Sequence, residues 1–483
     1  MIKFSDQDIK QIEQHGLTLD AVNQQIEHFK SGFPFADITR PATIGDGIFE
    51  YDENAINEFI KIYDDTHDNY TITKFVPASG AATRMFRDLF EFMSTGELNP
   101  TTTSVINNID RFAFYDDLKQ FLPPTPTAHD IVSGMLGTDK LNLGNLPKAL
   151  IKFHKYKNES RTAAAEHLIE GTQYAATRAC VHIHFTLSPE HVEKFKKLMD
   201  EILPKYSKTY NVKFHITTST QSPSTDTIAV NFDNTPFRDN NGRLVFRPSG
   251  HGALIENLNK IDSDIIFIKN IDNITNDEHR ADTIRYKKLL GGILIKTKNQ
   301  IKKFITDLQN NTYDKTNLQD FITHQLCIPL PQNPTRDTLL NILNRPVRIC
   351  GMVKNTGAPG GGPFWVRDAR GEHLQITESS QIAPSAREIM NQSTHFNPVD
   401  LVCSTRDIDG KKFDLTKFID EQTGFISEKS YNGRDLRAME RPGLWNGAMA
   451  GWITIFVSVP NTTFTPVKKV SDLLDAAHLF PRN

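Results

Sequence analysis

The spacing of apolar positions changes several times along this chain, and each change marks an element. Ile9, Ile12 and Leu17 recur at helical spacing behind Ser5, a residue suited to cap a helix, and Asn54 to Tyr63 repeats the pattern. Residues 1–70 are therefore expected to be mainly helical. The run Lys74-Phe75-Val76-Pro77 reads as a buried strand that ends in small residues, Ala78-Ser79-Gly80-Ala81-Ala82-Thr83, followed by Arg84. From Met85 and Phe86 through Leu89 and Phe90 the helical rhythm resumes. It continues to about residue 145, broken at Pro123 to Thr127, and meets Leu146-Pro147-Lys148-Ala149-Leu150.

Further on, Val181 to Thr186 alternates as a strand does and precedes a helical stretch from Pro189 to Ile202. Val212 to Thr217 is a second strand. Asp264 to Asn270 is a third, with the continuous apolar centre expected of a strand covered on both faces. Strands alternating with helices predict an α/β fold with a mostly parallel mixed sheet. Beyond residue 345 the pattern turns towards β, with strands at Val347 to Val353 and Trp452 to Val459. The stretch Gly357 to Pro363 reads as a hairpin or lid, because its prolines remove phosphate donors. The expected division is a helical segment 1–70, an α/β core 71–345 with a helical stretch at 86–145, and a β-richer part 346–483.

Composition narrows the function classes. A net charge of −3 over 483 residues argues against a polybasic nucleic-acid binder, and 38% hydrophobic with 23% charged residues describes an ordinary folded chain. Cys180, Cys327, Cys350 and Cys403 lie far apart, which disfavours a zinc site or disulfide framework and fits a reducing compartment. The first residues carry charge too early for a signal peptide, and no apolar run reaches the length of a membrane span. A cytoplasmic protein with neither nucleic-acid nor membrane partners is expected.

Two places can carry chemistry. The small-residue turn at 78–83 joins a strand to a helix, so its amides and the helix start can bind phosphate, with Arg84 adding a charged contact; an ordinary structural turn has the same pattern. Asp272 follows the third strand, where α/β folds bind ligands, and suits Mg²⁺; alternatively Asp272-Asn273 caps the next turn. None of the 16 histidines forms a metal triad by spacing; His182, His184 and His215 alternate as surface or satisfied core residues do.

Taken in order, these pieces resemble the UDP-sugar pyrophosphorylases, whose motifs are a GGxGTRL loop, a PK pair, a PxGxGG segment and a strand ending in VDN. Here stand Ala78 to Met85, Pro147-Lys148, Pro248-Ser249-Gly250-His251-Gly252, and Asn270-Ile271-Asp272-Asn273. Phe464 to Leu474 is similar to their FLPVKxxSDLL segment, the most specific match. The chain resembles still more an uncharacterised bacterial family of the DUF4301 kind, predicted to be nucleotide-diphospho-sugar transferases. The resemblance spans residues 74–475 through its motifs. It implies the Rossmann-like, GT-A-type fold of those transferases and a uridylyltransferase reaction, in which a sugar-1-phosphate oxygen attacks the α-phosphorus of UTP and pyrophosphate leaves.

The same resemblance assigns residues. Ala78, Ser79, Gly80, Ala81, Ala82 and Thr83 would hold phosphates, with Gln221, Pro248, Gly250, His251 and Gly252 near the base and ribose. Arg84, Lys148 and Lys468 would be catalytic charges, and Asp272 would meet Mg²⁺. Gly351, Glu378 and Asn397 would face the sugar, by likeness to VGVVC, VVEYSEI and FNxGN segments. Glu378 and Gln221 also read as ordinary solvated residues. His251, where the family usually has Asn, suits binding or packing better than base catalysis, which this reaction does not need. Ser79, Ala81 and Ala82 replace family glycines, and their Cβ atoms restrict close backbone approach. Lys148 can share the site only if residues 86–145 return the chain to the crevice; otherwise it is a solvated helix start. Those replacements leave two alternatives: a degenerate sugar-nucleotide binding protein, or transfer to another phosphorylated substrate. A glycosyltransferase would normally show a DxD-like acid pair, and Asp272-Asn273 has one acid.

Overall fold

The strands that place the candidate site are mostly apolar, interrupted by Thr73, Lys74 and Lys269, and their burial puts them inside a parallel sheet. In a computed structural model, which describes residues 2–80, 82–357 and 361–479, Ile72–Pro77 and Ile265–Lys269 are almost wholly buried. The chain divides into two compact units that interleave along the sequence: residues 1–55, 221–264 and 293–458 form one, and residues 56–220, 265–292 and 459–483 the other.

In the second unit, Ile265–Lys269, Ile72–Pro77, Cys180–Leu187 and Lys213–Thr220 lie side by side, all parallel. Parallel neighbours need crossovers. Ala163–Tyr174 and Val192–Tyr210 supply helical ones, as the alternation of patterns predicts. The strand histidines have partners: His182 stacks on His215, and His184 lies between Thr217 Oγ1 and Ser219 Oγ at 2.8 and 2.7 Å. Burial pushes the His184 imidazole down to about 4.

Residues 86–145 form a helical layer of the same unit. Arg87–Thr95, Pro100–Asn107 and Ala128–Leu136 set Leu89, Phe92, Val105, Val132 and Met135 into one core with Val76 and Phe185. The proline stretch ends at Thr127, whose side chain caps the last of these helices in a reciprocal box with Asp130.

A charged group crosses the buried layer. Glu170, on the helix Ala163–Tyr174, accepts from Lys74 Nζ at 2.9 Å and from Lys269 Nζ at 2.8 Å. These lysines come from the two adjacent strands that lead to the site. All three side chains are buried. Burial pushes the Lys74 ammonium down to about 7. Burial acts to raise Glu170, but the Lys269 and Lys74 charges prevail and hold its carboxyl well below the usual range. One carboxylate thus ties two strands and a helix into one register.

In the first unit, Ser5 caps Asp6–Gln14 in a box with Asp8, as its sequence suggests. This helix and Leu19–Ser31 bury Ile12, Val22, Ile26 and Phe29 against Ile228, Leu244 and Met439. Residues 38–49, expected within a helical segment, instead carry the short strands Ile38–Pro41, Thr43–Ile44 and Gly47–Phe49. Pro41, Gly45 and Gly47 break helical continuity there; the two glycines have φ near +83° and +93°. Thr43–Ile44, Gly47–Phe49, Ile453–Ser458 and Val347–Lys354 follow one another in parallel, and His395–Ser404 joins the last antiparallel. Ile38–Pro41, Gly361–Asp368 and Gly371–Glu378 form a separate antiparallel sheet. The hairpin expected at 357–363 thus leads into a strand, and Ala358, Pro359 and Gly360 fall outside the described residues. No helix among the described residues is long and apolar enough to cross a membrane.

Candidate functional site

The strand Ile265–Lys269 ends one turn before Asp272, and the loop that follows is clamped by the C-terminal segment. Val467 N donates to Asp272 O at 2.9 Å, Thr465 N to Asn273 Oδ1 at 3.0 Å, and Thr275 Oγ1 to Ala477 O at 2.6 Å. This pairing carries Lys468 to the loop. Asp472 shapes the approach by accepting from the amides of Lys468 and Lys469 at 2.7 and 2.8 Å. From the other side, Lys148 opens a short turn, Lys148–Leu150, after the helical layer closes.

The three side chains meet. Asp272 Oδ2 lies 2.8 Å from Lys148 Nζ and 3.1 Å from Lys468 Nζ, and Lys148 also donates to Val467 O at 2.7 Å. Burial by itself would raise the Asp272 carboxyl, but the Lys148 and Lys468 ammoniums outweigh it and hold it below the usual range. The lysines differ: the Lys148 side chain is 14% exposed, that of Lys468 59%. Lys148 is therefore a fixed charge and Lys468 a movable one. The turn that starts after Asn273 is capped by Asn276, so capping does not occupy Asp272.

The small-residue turn lies beside this group. Ala82 N donates to Leu146 O at 2.9 Å and Thr83 Oγ1 to Gly144 O at 3.1 Å, while Val470 N donates to Met85 O at 3.0 Å. The long segment 86–145 therefore does return the chain to the crevice. Ala78 N is engaged by Thr186 O at 3.1 Å and Ser79 O by Ser188 Oγ at 2.6 Å. A Cβ on Gly80 would enter open space. Arg84 is exposed and makes no ion pair with another described residue. Ala81 lies outside the described residues.

The candidates of the first unit form a second group. Pro248 leads into the turn Gly250–Ala253. Gly250 has φ near +75°, and a Cβ on Gly252 would stand 2.3 Å from Pro442 O, so these glycines are demanded by the protein's own packing. His251 Nε2 lies 3.2 Å from Glu378 Oε1, at the end of the strand Gly371–Glu378. Gly351 is in the strand Val347–Lys354 of another sheet of this unit, where the register slips opposite Phe396 to Asp400. Asn397 sits in that irregularity, 4% exposed, and its Oδ1 accepts from Val399 N at 3.1 Å. Val399 has φ near +58°, a strained state for a β-branched residue. Gln221 is half-buried in the loop after Lys213–Thr220, and no described hydrogen bond joins it to the other candidates.

A family model described as "Domain of unknown function (DUF4301)" matches residues 5–479. The chain belongs to the DUF4301 family. No curated protein matches it. Among solved structures, a uridine diphosphate N-acetylglucosamine pyrophosphorylase from Trypanosoma brucei is similar, with a TM-score of 0.51 and 11% identity, covering 94% of this chain and 74% of that one. A UDP-glucose phosphorylase from the same organism gives 0.47 at 12% identity, covering 97% and 77%. An inositol-1-phosphate CTP transferase from T. maritima gives 0.33 at 8%, covering 83% and 90%. The first of these likenesses is one of fold: a mixed α/β chain built on a mostly parallel sheet.

Whether this DUF4301 chain suits a divalent cation turns on its donors. Among the described residues no three His, Cys, Asp or Glu side chains gather to hold a metal. Asp272 offers one carboxylate, with both lysines on Oδ2. Magnesium usually keeps one or two carboxylates and takes its other ligands from phosphates and water. The site thus fits an ion that arrives with a phosphate chain, not one caged by protein.

Sequence reasoning missed His167. Its Nε2 lies 3.2 Å from Ile271 O, and burial with the nearby Lys74 charge keeps the ring well below its ordinary value and neutral. As donor to that carbonyl it steadies the residue before Asp272. Nothing in the local pattern of Ala163–Tyr174 marks it, because its partner is 104 positions away. Asn273, read as a cap or as part of the VDN match, is the clip for the C-terminal segment.

Proposed function

We propose that this protein is a nucleotidyltransferase that joins a nucleoside triphosphate, UTP by the family resemblance, to a sugar-1-phosphate and releases pyrophosphate. The supporting observation is the meeting of Lys148, Asp272 and Lys468 beside the small-residue turn. Attack of a phosphate oxygen on the α-phosphorus needs no protein nucleophile, since that oxygen is already anionic at neutral pH. The task is to align the reactants and offset charge repulsion. Lys148, fixed by two acceptors, would neutralise a non-bridging oxygen of the α-phosphate. Lys468 is free to swing from Asp272 onto the incoming phosphate. The exposed Arg84 would hold the β- and γ-phosphates together with its turn. Bound Mg²⁺, met by Asp272, would supply further charge stabilisation at the phosphates. By the family resemblance, Glu378 would accept sugar hydroxyls, and Gln221, Pro248, Gly250 and Gly252 would face the nucleoside.

The test is pyrophosphate release from UTP, CTP, ATP and GTP with a panel of sugar-1-phosphates and Mg²⁺. Release dependent on one sugar phosphate supports the proposal. Absence of release with every pair overturns it. A second reading, a binding protein without turnover, draws support from the amides of Ala78 and Ala82, which internal carbonyls already occupy. It predicts a thermal shift with nucleotide sugars, by mass action, with no pyrophosphate formed.

A further inference from the structure

We propose that His251 is a positioning residue which, as a neutral ring protonated on Nε2, orients the Glu378 carboxylate towards the hydroxyls of a sugar. This rests on the proposed reading of Glu378 as the sugar-facing acid. The argument starts from a backbone amide. Leu444 N donates to His251 Nδ1 at 3.0 Å. An amide N–H can only donate, so Nδ1 presents its lone pair. The proton of a neutral imidazole then sits on Nε2. That atom stands 3.2 Å from Glu378 Oε1.

The ring has little freedom to choose otherwise. Trp445 stacks on it with centroids 5.6 Å apart and planes 15° off parallel. Gly443 permits the fit, since a Cβ there would stand 2.5 Å from His251 Cε1. Flipping the ring would set a carbon against the Leu444 amide and strand that donor. Glu378 is held from its backbone as well. Its N–H donates to Gln381 Oε1 at 3.0 Å, which also accepts from Asn446 Nδ2 at 2.8 Å, while Gln381 Nε2 donates to Thr423 O at 2.9 Å.

The pair is nevertheless open to a ligand, with side chains 33% and 27% exposed. An ionised carboxylate only accepts, at about four lone-pair positions. Use of one by His251 leaves capacity for a pair of hydroxyl donors. The substrate class this favours is a sugar phosphate with free neighbouring hydroxyls.

Two substitutions separate the atoms. In His251→Gln the side-chain amide nitrogen falls near the Nε2 position and keeps a donor for Glu378. In His251→Asn the amide oxygen falls near Nδ1 and keeps the Leu444 bond, but the donor is lost. We expect His251→Asn to raise KM for the sugar phosphate about 10-fold, with kcat and KM for the nucleotide within about 2-fold, and His251→Gln to stay within about 3-fold of wild type. Equal effects of the two, or an effect on nucleotide KM alone, would overturn the proposal. A substrate-free arm uses long-range ¹H–¹⁵N spectra of histidine-labelled protein at pH 8. It should find His251 protonated on Nε2, with that resonance displaced in Glu378→Gln. An Nδ1-protonated ring, or an unmoved resonance, overturns the proposal. A wild type without turnover would refute the proposed reaction and leave this arm to decide the positioning role.

Discussion

Lys148 and Asp272, 124 positions apart, meet at 2.8 Å, and the same ammonium holds the Val467 carbonyl at 2.7 Å. One side chain therefore joins the end of the helical layer, the loop after the strand Ile265–Lys269 and the C-terminal segment. Its two contacts and low exposure set it apart from Lys468, and the difference is measurable.

Lys148→Ala should lower both turnover and stability, whereas Lys468→Ala should lower turnover alone. Loss of a charge that acts in the transition state is worth about 3 kcal/mol, or roughly two orders of magnitude in kcat. Removing Lys148 also leaves a largely buried carboxylate short of a partner, at about 1–3 kcal/mol. Steady-state kinetics alongside urea unfolding checks the split. Equal stability losses would remove the distinction.

Asp272→Asn keeps the shape and removes the charge. The expected result is a fall of about two orders of magnitude in turnover with the far-UV spectrum of wild type. Turnover at the wild-type level would take Asp272 out of the mechanism.

Glu170→Ala should be among the most damaging changes away from the site. It strands Lys74 and Lys269, two buried ammoniums 2.9 and 2.8 Å from its oxygens. Breaking a buried pair by deleting one partner costs about 3–5 kcal/mol. The denaturation midpoint in urea reads this directly, and a shift below about 1 kcal/mol would contradict it.

Acid should destabilise the fold through buried neutral histidines. Burial, with His154 2.9 Å away, pushes His478 down to about 3, and burial pushes His184 down to about 4. Both values lie below the ordinary 6.5, so the unfolded chain takes up protons first as pH falls. Their contribution is complete above pH 6.5 and drains away between there and about pH 3 to 4. Each can contribute a slope of up to ~1.4 kcal/mol per pH unit in that window. Melting temperature against pH should fall below pH 6, and His184→Gln should flatten the curve. An unchanged slope in that variant would show that other groups carry it.

The sequence alone determined the main strands of the parallel core and their order along the chain. Ile72–Pro77, Cys180–Leu187 and Ile265–Lys269 were legible because a strand buried on both faces leaves a largely continuous apolar run, and Lys213–Thr220, a more exposed strand, because its apolar positions alternate. Ser5 announced a helix start, since a cap is satisfied within four residues, whereas the cap at Thr127 was hidden in a stretch read only as a break. The short strands at 38–49 escaped notice because pieces of two to four residues have no period to detect.

Only the tertiary structure decided the rest. It turned Lys148 from a choice between solvated lysine and site residue into the partner of Asp272, and it gave His251 a neighbour in Glu378. It also revealed Glu170 and His167 as supports of the strands and loop that carry the site. A hydrogen bond reaches about 3 Å in space, whatever the separation along the chain. Local pattern therefore reports how each segment folds, and only packing reports which side chains share a charge.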